Sequence, residues 1–357
     1  MDSFHVEARR PTPEEVQEIC DLFNRVWGKV YNDKGWYYYT PDVFNWYVGN
    51  PRNDPESYFI VFDDETNNII GYFGISSFEM AINGQDSYQF GYPTMITVDL
   101  DYQSKGIGKL LGTQVKSFYE RKGYIGGFQT FEDDSRGYLT VPPEQREKMI
   151  EVWHHNDGYI RPLNMKRIGP YLSLKWYESI ATRLLQGVAP VKDPHIRDLR
   201  EDDESQIVSL LNGLAKNVNF ARIWNDEEMN WYLHHPLVRA KVYEENNEIL
   251  GIACASVIPF MIKGYHDKVG LIENYYYEKL PPKAQNLLIR KLLWELKRED
   301  VPIVLDLAVG YQDRRPLNAN RFLGYKRGNY LTLEVFSDQF QFLPEEIKKW
   351  TTYFELR

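Results

Sequence analysis

The segment Val98-Asp-Leu-Asp-Tyr-Gln103-Ser-Lys-Gly106-Ile-Gly108-Lys109-Leu-Leu111 carries the residue types of an anion site. A β-branched stretch, Met95-Ile96-Thr97-Val98, runs into a glycine-bearing turn. Behind the turn, Leu110, Leu111, Val115 and Phe118 form an apolar helical stripe. Gly106 and Gly108 remove the Cβ atoms that would hold a ligand off the backbone, and the unpaired amides of a helix N-terminus point at the same place. A pyrophosphate fits such a cradle. A dinucleotide fingerprint would require a third glycine and an acidic residue about 20 positions on, where this chain has Gln129 and Thr130.

Within that segment, Gln103-Ser104-Lys105-Gly106-Ile107-Gly108 resembles the Gln/Arg-x-x-Gly-x-Gly/Ala signature of the GNAT superfamily of acyl-CoA N-acyltransferases, with every fixed position matched. The resemblance implies an acyl-CoA whose pyrophosphate rests on Gln103, Ser104, Lys105, Gly106, Ile107, Gly108 and Lys109. Its pantetheine arm would pair with Ile96, Thr97 and Val98. Acetyl-CoA is the expected donor, a co-substrate used without a metal. The implied reaction is direct attack of a neutral amine on the thioester, which needs a base, donors for the oxyanion and an acid for the thiolate. A backbone amide near Val98 is the family's usual oxyanion donor.

The family's acid is a tyrosine in the helix after the fifth strand. Here the expected helix, Pro143 to Trp153, contains none; Tyr138 and Tyr159 flank it, and Tyr138 is the candidate. Glu132, at the end of the strand Gly127-Phe-Gln-Thr-Phe-Glu, is the candidate base; the alternative is a solvated turn, Glu132-Asp-Asp-Ser135. Candidate acceptor-binding residues are Glu79, late in the third strand, and Trp36 and Tyr38 in the aromatic run between the first two helices. Exposed rings would suit a cationic or apolar acceptor; the alternative for them is packing beneath the second half. His154-His155 precede an expected turn, Asn156-Asp-Gly158, and His234-His235 lack partners at ligand spacing, so no metal is expected.

Positioning these residues requires an ordered scaffold, and the sequence repeats one. Phe44-Asn45-Trp46-Tyr47-Val-Gly-Asn-Pro51 recurs as Met229-Asn230-Trp231-Tyr232-Leu-His-His-Pro236. Each copy continues with a strand, an Asn-bearing turn, and a second strand opening Ile69-Ile70-Gly71 or Ile249-Leu250-Gly251. Strand, helix and strand then follow at Tyr88 to Val98, Gly106 to Arg121 and Ile125 to Phe131, matched by Lys268 to Tyr277, Pro282 to Arg298 and Ile303 to Val309. The expected fold class is α+β (mixed α/β): two tandem GNAT domains, each a mixed central sheet flanked by helices. The first, residues 1–190, would bind the cofactor and catalyse. The second, residues 191–357, has Glu278-Lys-Leu-Pro281-Pro282 at the loop position, and two prolines without amide hydrogens are expected to abolish pyrophosphate binding.

Bulk properties agree with this plan. Length 357 suits two domains of about 150 residues, and no apolar run nears the roughly 20 residues of a membrane span. Without a basic, apolar start or a disulfide framework, the expected location is cytoplasmic, with Cys20 and Cys254 as buried thiols. The net charge of −9 disfavours a nucleic-acid surface and suits a small-molecule amine or basic peptide as acceptor. Two other readings fit the same motif: a non-catalytic acyl-CoA sensor, and an aminoacyl-tRNA-dependent transferase of related fold.

Overall fold

The computed structural model describes residues 3–31, 35–85, 87–132, 149–172, 174–277, 279–307, 313–336 and 344–354, without the side chains of 132, 153–157, 181, 325–330 and 344. The first half runs β1 (Phe4–Ala8), α1 (Pro13–Tyr31), β2 (Trp36–Tyr37), α2 (Pro41–Val48), β3 (Tyr58–Asp63), β4 (Ile69–Ile82), β5 (Ser87–Val98), α3 (Ile107–Lys122), β6 (Gly126–Glu132) and β7 (Ile150–Pro162), then the short α4 (Met165–Ile168) and α5 (Trp176–Leu185). The second repeats the plan as β8 (Ile196–Asp198), α6 (Glu204–Asn212), β9 (Phe220–Ile223), α7 (Asp226–Leu233), β10 (Val238–Glu245), β11 (Glu248–Ile262), β12 (Tyr265–Tyr276), α8 (Pro282–Arg298), β13 (Ile303–Asp306), α9 (Arg315–Ala319) and β14 (Leu323–Val335). It closes on α10 (Pro344–Ile347) and β15 (Thr352–Tyr353).

Local chemistry explains where the helices start. Glu15 N–H donates to the Thr12 hydroxyl at 3.3 Å while Thr12 N–H donates to the Glu15 carboxylate at 2.8 Å, a reciprocal cap ahead of α1. Val16, Ile19, Cys20, Phe23 and Val26 then fall on the one buried stripe of that helix. Thr40 and Asn225 cap α2 and α7 in the same way, each accepting from the backbone three residues on. Both cysteines are buried free thiols, and among the described residues no helix is long and apolar enough to cross a membrane.

The strand order is β1-β3-β4-β5-β6-β14-β7-β13-β12-β11-β10-β8. Its centre is an exchange. The strand that follows β6 in sequence, β7, pairs with β13 of the second half. The strand that follows β13, β14, pairs with β6 of the first. The two exchanged strands also pair with each other, so the two half-sheets become one. The repeated aromatic motifs meet across the same junction: Trp46 stacks on Trp231 at 5.5 Å and on Tyr232 at 5.2 Å. Beside them a buried Glu228 carboxylate accepts from Asn50 at 3.0 Å, from Arg222 at 2.9 Å and from Arg52.

Two expectations are corrected. In the stretch expected to be helical up to Trp153, Ile150 to Trp153 are strand; Pro143 to Lys148 lie outside the described residues. Alternation decides it, since Val152 points into a core with Leu331 and Leu333 of the neighbouring strand. The expected turn at Asn156-Asp-Gly158 is also continuous strand. Its irregularity is taken up instead by a register shift between Lys326 and Asn329 on the partner strand.

Candidate functional site: the open end of the first half-sheet

Strands β5 and β6 run parallel and pair only at Phe90–Gly126 and Gly91–Gly127. Close packing seals this end: a Cβ on Gly91 would lie 2.2 Å from the Tyr119 ring, and one on Gly126 would lie 2.3 Å from Glu334 O. Beyond it the strands separate. β6 stays paired with β14 along its whole length, so its course is set by the second half, while β5 turns away through a bulge.

The bulge lies between the pairs Gly74–Thr94 and Tyr72–Thr97, and it places Met95 at φ 50°, a left-handed conformation costing about 1 kcal/mol or more for a residue with a Cβ. It presents the Ile96–Val98 edge of β5 toward the gap and leaves Ile96 42% exposed. The floor of the gap is filled. The Tyr92 hydroxyl and Thr130 Oγ1 are hydrogen-bonded at 3.0 Å from strand to strand, and Phe78 and Phe128 pack against the Tyr92 ring, with Phe90 edge-on to Phe128. Burial raises the Tyr92 hydroxyl to about 12 despite the Thr130 bond, which keeps it protonated at neutral pH.

Past Val98 the chain is pinned before it reaches the loop. Asp99 N–H donates to Ile70 O at 2.8 Å, and the Asp99 carboxylate accepts from Arg25 at 2.6 Å and from Asp101 N–H at 3.0 Å. Tyr102 donates its hydroxyl to Asp63 at 2.6 Å, and the Lys105 ammonium sits 4.4 Å above the Tyr102 ring. The Tyr102 hydroxyl, followed by the amide and hydroxyl of Thr66, holds the Asp63 carboxyl down at about 2. Ser104 at φ 65° and Gly106 at φ 95° then turn the backbone into α3.

The buried Ile107 anchors the start of that helix to Leu111, Val115 and Phe118. Gln103, Ser104, Lys105, Gly106, Gly108 and Lys109 face solvent. The first helical bond is Leu110 N–H to Gly106 O at 3.1 Å, so the amides of the opening turn, Ile107 to Lys109, lie ahead of the helical ladder and point off the N-terminal end of the helix. A Cβ on Gly106 or Gly108 meets nothing within 4 Å. The space the glycines keep clear is open at the mouth of the gap, and the amide dipoles face it. The loop expected to cradle an anion thus adjoins the Ile96–Val98 edge, where Ile96 is exposed and Thr97 is buried.

The second half closes the same place. α8 begins at Pro282 behind Pro281, and the Gln285 side chain folds back to donate to Tyr277 O at 3.2 Å and Leu280 O at 2.8 Å. β12 and β13 also pair only briefly, at Gly270–Val304 and Leu271–Leu305. There the Tyr275 hydroxyl spans to the Asp306 carboxylate at 3.2 Å, and Tyr277 reaches Asp313 O.

The remaining candidates are placed apart. Glu132 ends β6 opposite Asn329, as far from the last parallel pair as Ile96 is on β5; its side chain, like all of Tyr138, is outside the described residues. Glu79 lies toward the other end of β4, beside Gln89 and Ile223, bonded to Arg52 and to the Ser87 hydroxyl. Burial pushes its carboxyl up, but those two bonds outweigh it and hold the pKa below the ordinary value, which weakens it as a base. The aromatic run takes the packed alternative at Trp36. Trp36 is buried, and β2 pairs with β11 through Trp36–Met261 and Tyr37–Phe260. Tyr38, partly exposed, packs edge-on to His266 at 4.9 Å. Likewise His235 packs on Trp46 and His234 bonds to Glu204 at 2.5 Å. No group of three metal-ligating side chains occurs among the described residues.

The bulge at Met95, the Tyr102–Asp63 clamp and the Tyr92–Thr130 floor had no local signature. Each depends on the register between strands that only the folded sheet provides.

Residues 7–126 match the family model described as the acetyltransferase (GNAT) domain. Over nearly the whole chain the fold is that of N-myristoyltransferase from Saccharomyces cerevisiae. A crystal structure with bound myristoyl-CoA aligns with a TM-score of 0.77 at 16% identity, covering 94% of this chain and 83% of that one. A second aligns with a TM-score of 0.79 at 15% identity, covering 94% and 80%. No curated protein matches the chain by sequence.

Proposed function

We propose, from the match of residues 7–126 to the acetyltransferase (GNAT) domain, that this chain is an acyl-CoA-dependent N-acyltransferase that moves an acetyl group from acetyl-CoA to an amine. The observation that carries the reading is the continuous feature formed by the Ile96–Val98 edge and the outward amides of Ile107 to Lys109, open in the first half and blocked in the second. The pyrophosphate rests on the loop from Gln103 to Lys109, the pantetheine arm runs along Ile96–Val98, and catalysis is confined to the first half. Residues 191–357 supply β14 and wall the acceptor side.

In the reaction the amine nitrogen bonds to the thioester carbon and the carbon–sulfur bond breaks. The oxyanion is held by a β5 amide near Val98, the amine proton passes to a base and the thiolate takes a proton from an acid. Glu132, at the open end of β6, is the proposed base and Tyr138 the proposed acid. Tyr38 and the neighbouring Phe260 and His266 are proposed to border the acceptor path, with Trp36 beneath them as support. An overall charge of −9 suits a basic peptide or small amine.

The filled floor at Tyr92 and Thr130 supports a short acyl group. A second reading, a long acyl chain, is favoured by the likeness to structures holding myristoyl-CoA. Free CoA is measured with acetyl-CoA or myristoyl-CoA and a pool of small amines and basic peptides. Faster release from acetyl-CoA is expected. Faster release from myristoyl-CoA supports the second reading; binding of either donor without release contradicts transferase activity and leaves a sensor.

A further inference from the structure

A second concave site lies where β7 and the linker that follows α5 meet α8 and α9 of the second half. It is a cavity of about 430 Å³ lined by Arg161, Arg290 and Arg321, the linker backbone from Gly187 to Ala189, and Leu293 with Ala319 and Asn320. Among the described residues three arginines and no acidic residue line it, in a chain with more acidic than basic residues.

Arg161 is the unusual member. It projects from β7, the exchanged strand, and is only 2% exposed. Its terminal nitrogens donate to Pro162 O at 2.7 Å, Leu185 O at 2.5 Å and Gly187 O at 2.7 Å, while its buried Nε has no hydrogen-bond partner among the described residues. Carbonyl dipoles, including one at the C-terminus of α5, offset part of its charge but not the whole. Burial, followed by the nearby charge of Arg321, depresses its pKa to about 10, the reverse of what a carboxylate partner would do.

The other two arginines are set up differently. Asn320 Oδ1 accepts from Arg290 Nε at 3.3 Å, and Asn320 is itself fixed by its amide bonds to Asn286 O and Pro316 O. That orients the Arg290 fork, whose outer nitrogens have no protein partner among the described residues. Arg321 stands on a left-handed backbone at φ 64°, and its side chain makes no hydrogen bond or ion pair among the described residues. Like charges gathered around a buried guanidinium without a counter-ion are costly unless an anion completes them.

We propose that this cavity binds a phosphate group carried by a small molecule, with Arg161, Arg290 and Arg321 as its ligands. Guanidinium forks match phosphate oxygens in geometry, and a dianion compensates charge that three carbonyls cannot. Val188, Ala189, Leu293 and Ala319 provide an apolar wall for the body that bears the phosphate.

Thermal unfolding of the full chain, carrying Gly106→Trp to block the acyl-CoA loop, tests the proposal with inorganic phosphate, citrate or chloride at one ionic strength. Phosphate at about 10 mM should raise Tm by about 2 °C over chloride, and Arg290→Gln with Arg321→Gln should remove that rise. Since that pair relieves repulsion, the variant in chloride should be at least as stable as its parent; a fall would mean the arginines serve as scaffold. No phosphate response, a response that survives the double substitution, or a response to citrate alone would overturn the assignment.

Discussion

Gly106 and Gly108 stand two residues apart in the same loop, yet the structure assigns them opposite sensitivities to a single methyl group. Gly106 has φ 95°, and a Cβ in the left-handed region costs about 1–2 kcal/mol. Replacing glycine also stiffens the unfolded chain, which returns about 0.4–1 kcal/mol, so Gly106→Ala should lose about 1 kcal/mol of stability. Nothing within 4 Å opposes the methyl sterically, and the loss is therefore conformational. The backbone relieves it by rotating toward negative φ, which turns the next amides away from the phosphate. Each charge-assisted bond lost is worth about 1.5–3 kcal/mol, so CoA affinity should fall roughly 10–100-fold.

Gly108 lies inside the first turn of α3, outside the left-handed region and with the same open space around it. Alanine there should raise stability by about 0.5 kcal/mol through helix propensity and leave CoA affinity within about threefold, in keeping with the Gly/Ala tolerance of the motif. Denaturant unfolding and calorimetry with CoA on both variants supply the numbers. Equal CoA affinities for the two, or stabilisation by Gly106→Ala, would refute the argument that loop conformation makes the cradle.

Three further outcomes follow from the geometry. The folded Asp63 carboxyl at about 2 lies below its unfolded value, so its stabilising effect is complete above about pH 4 and is lost as pH falls toward 2. Tyr102→Phe should raise the acid-unfolding midpoint and weaken CoA binding, both readable by circular dichroism and titration. Glu228→Gln should cost about 3 kcal/mol, because Arg222 and Arg52 converge on that carboxylate at the junction of the halves, and denaturation should remain a single transition. Tyr92→Ala should lose about 3 kcal/mol while shifting relative kcat/KM from acetyl-CoA toward longer acyl-CoA donors; an unchanged ratio would show that this ring does not limit the acyl pocket.

Much of the scaffold was legible because it rests on local signals. The β-branched run Met95 to Val98 marked the end of β5, the apolar stripe from Leu110 to Phe118 marked α3, and the paired Asn-Trp-Tyr motifs exposed the duplication. The loop was legible for the same reason, since its glycines, strand and helix are contiguous. Local signals misled where pairing decided the outcome. Ile150 to Trp153 carry helix-compatible residues, but Leu331 and Leu333 offer them a strand partner from more than a hundred residues away. The exchange of β7 and β14 could not be read from order alone, because a tandem and an exchanged arrangement share the same sequence of elements. Trp36 illustrates the limit for function: an aromatic run between helices reads equally as a binding surface or as a strap, and its pairing with Met261 decides for burial.

On the proposed function one chain holds one acyl-CoA, on the first copy of a duplicated fold. Calorimetric titration of acetyl-CoA into the wild type and into Gly106→Trp tests it most directly. One site per chain is expected in the wild type and none in the variant; two sites, or a single site that survives Gly106→Trp, would overturn the assignment of the cofactor to the first copy.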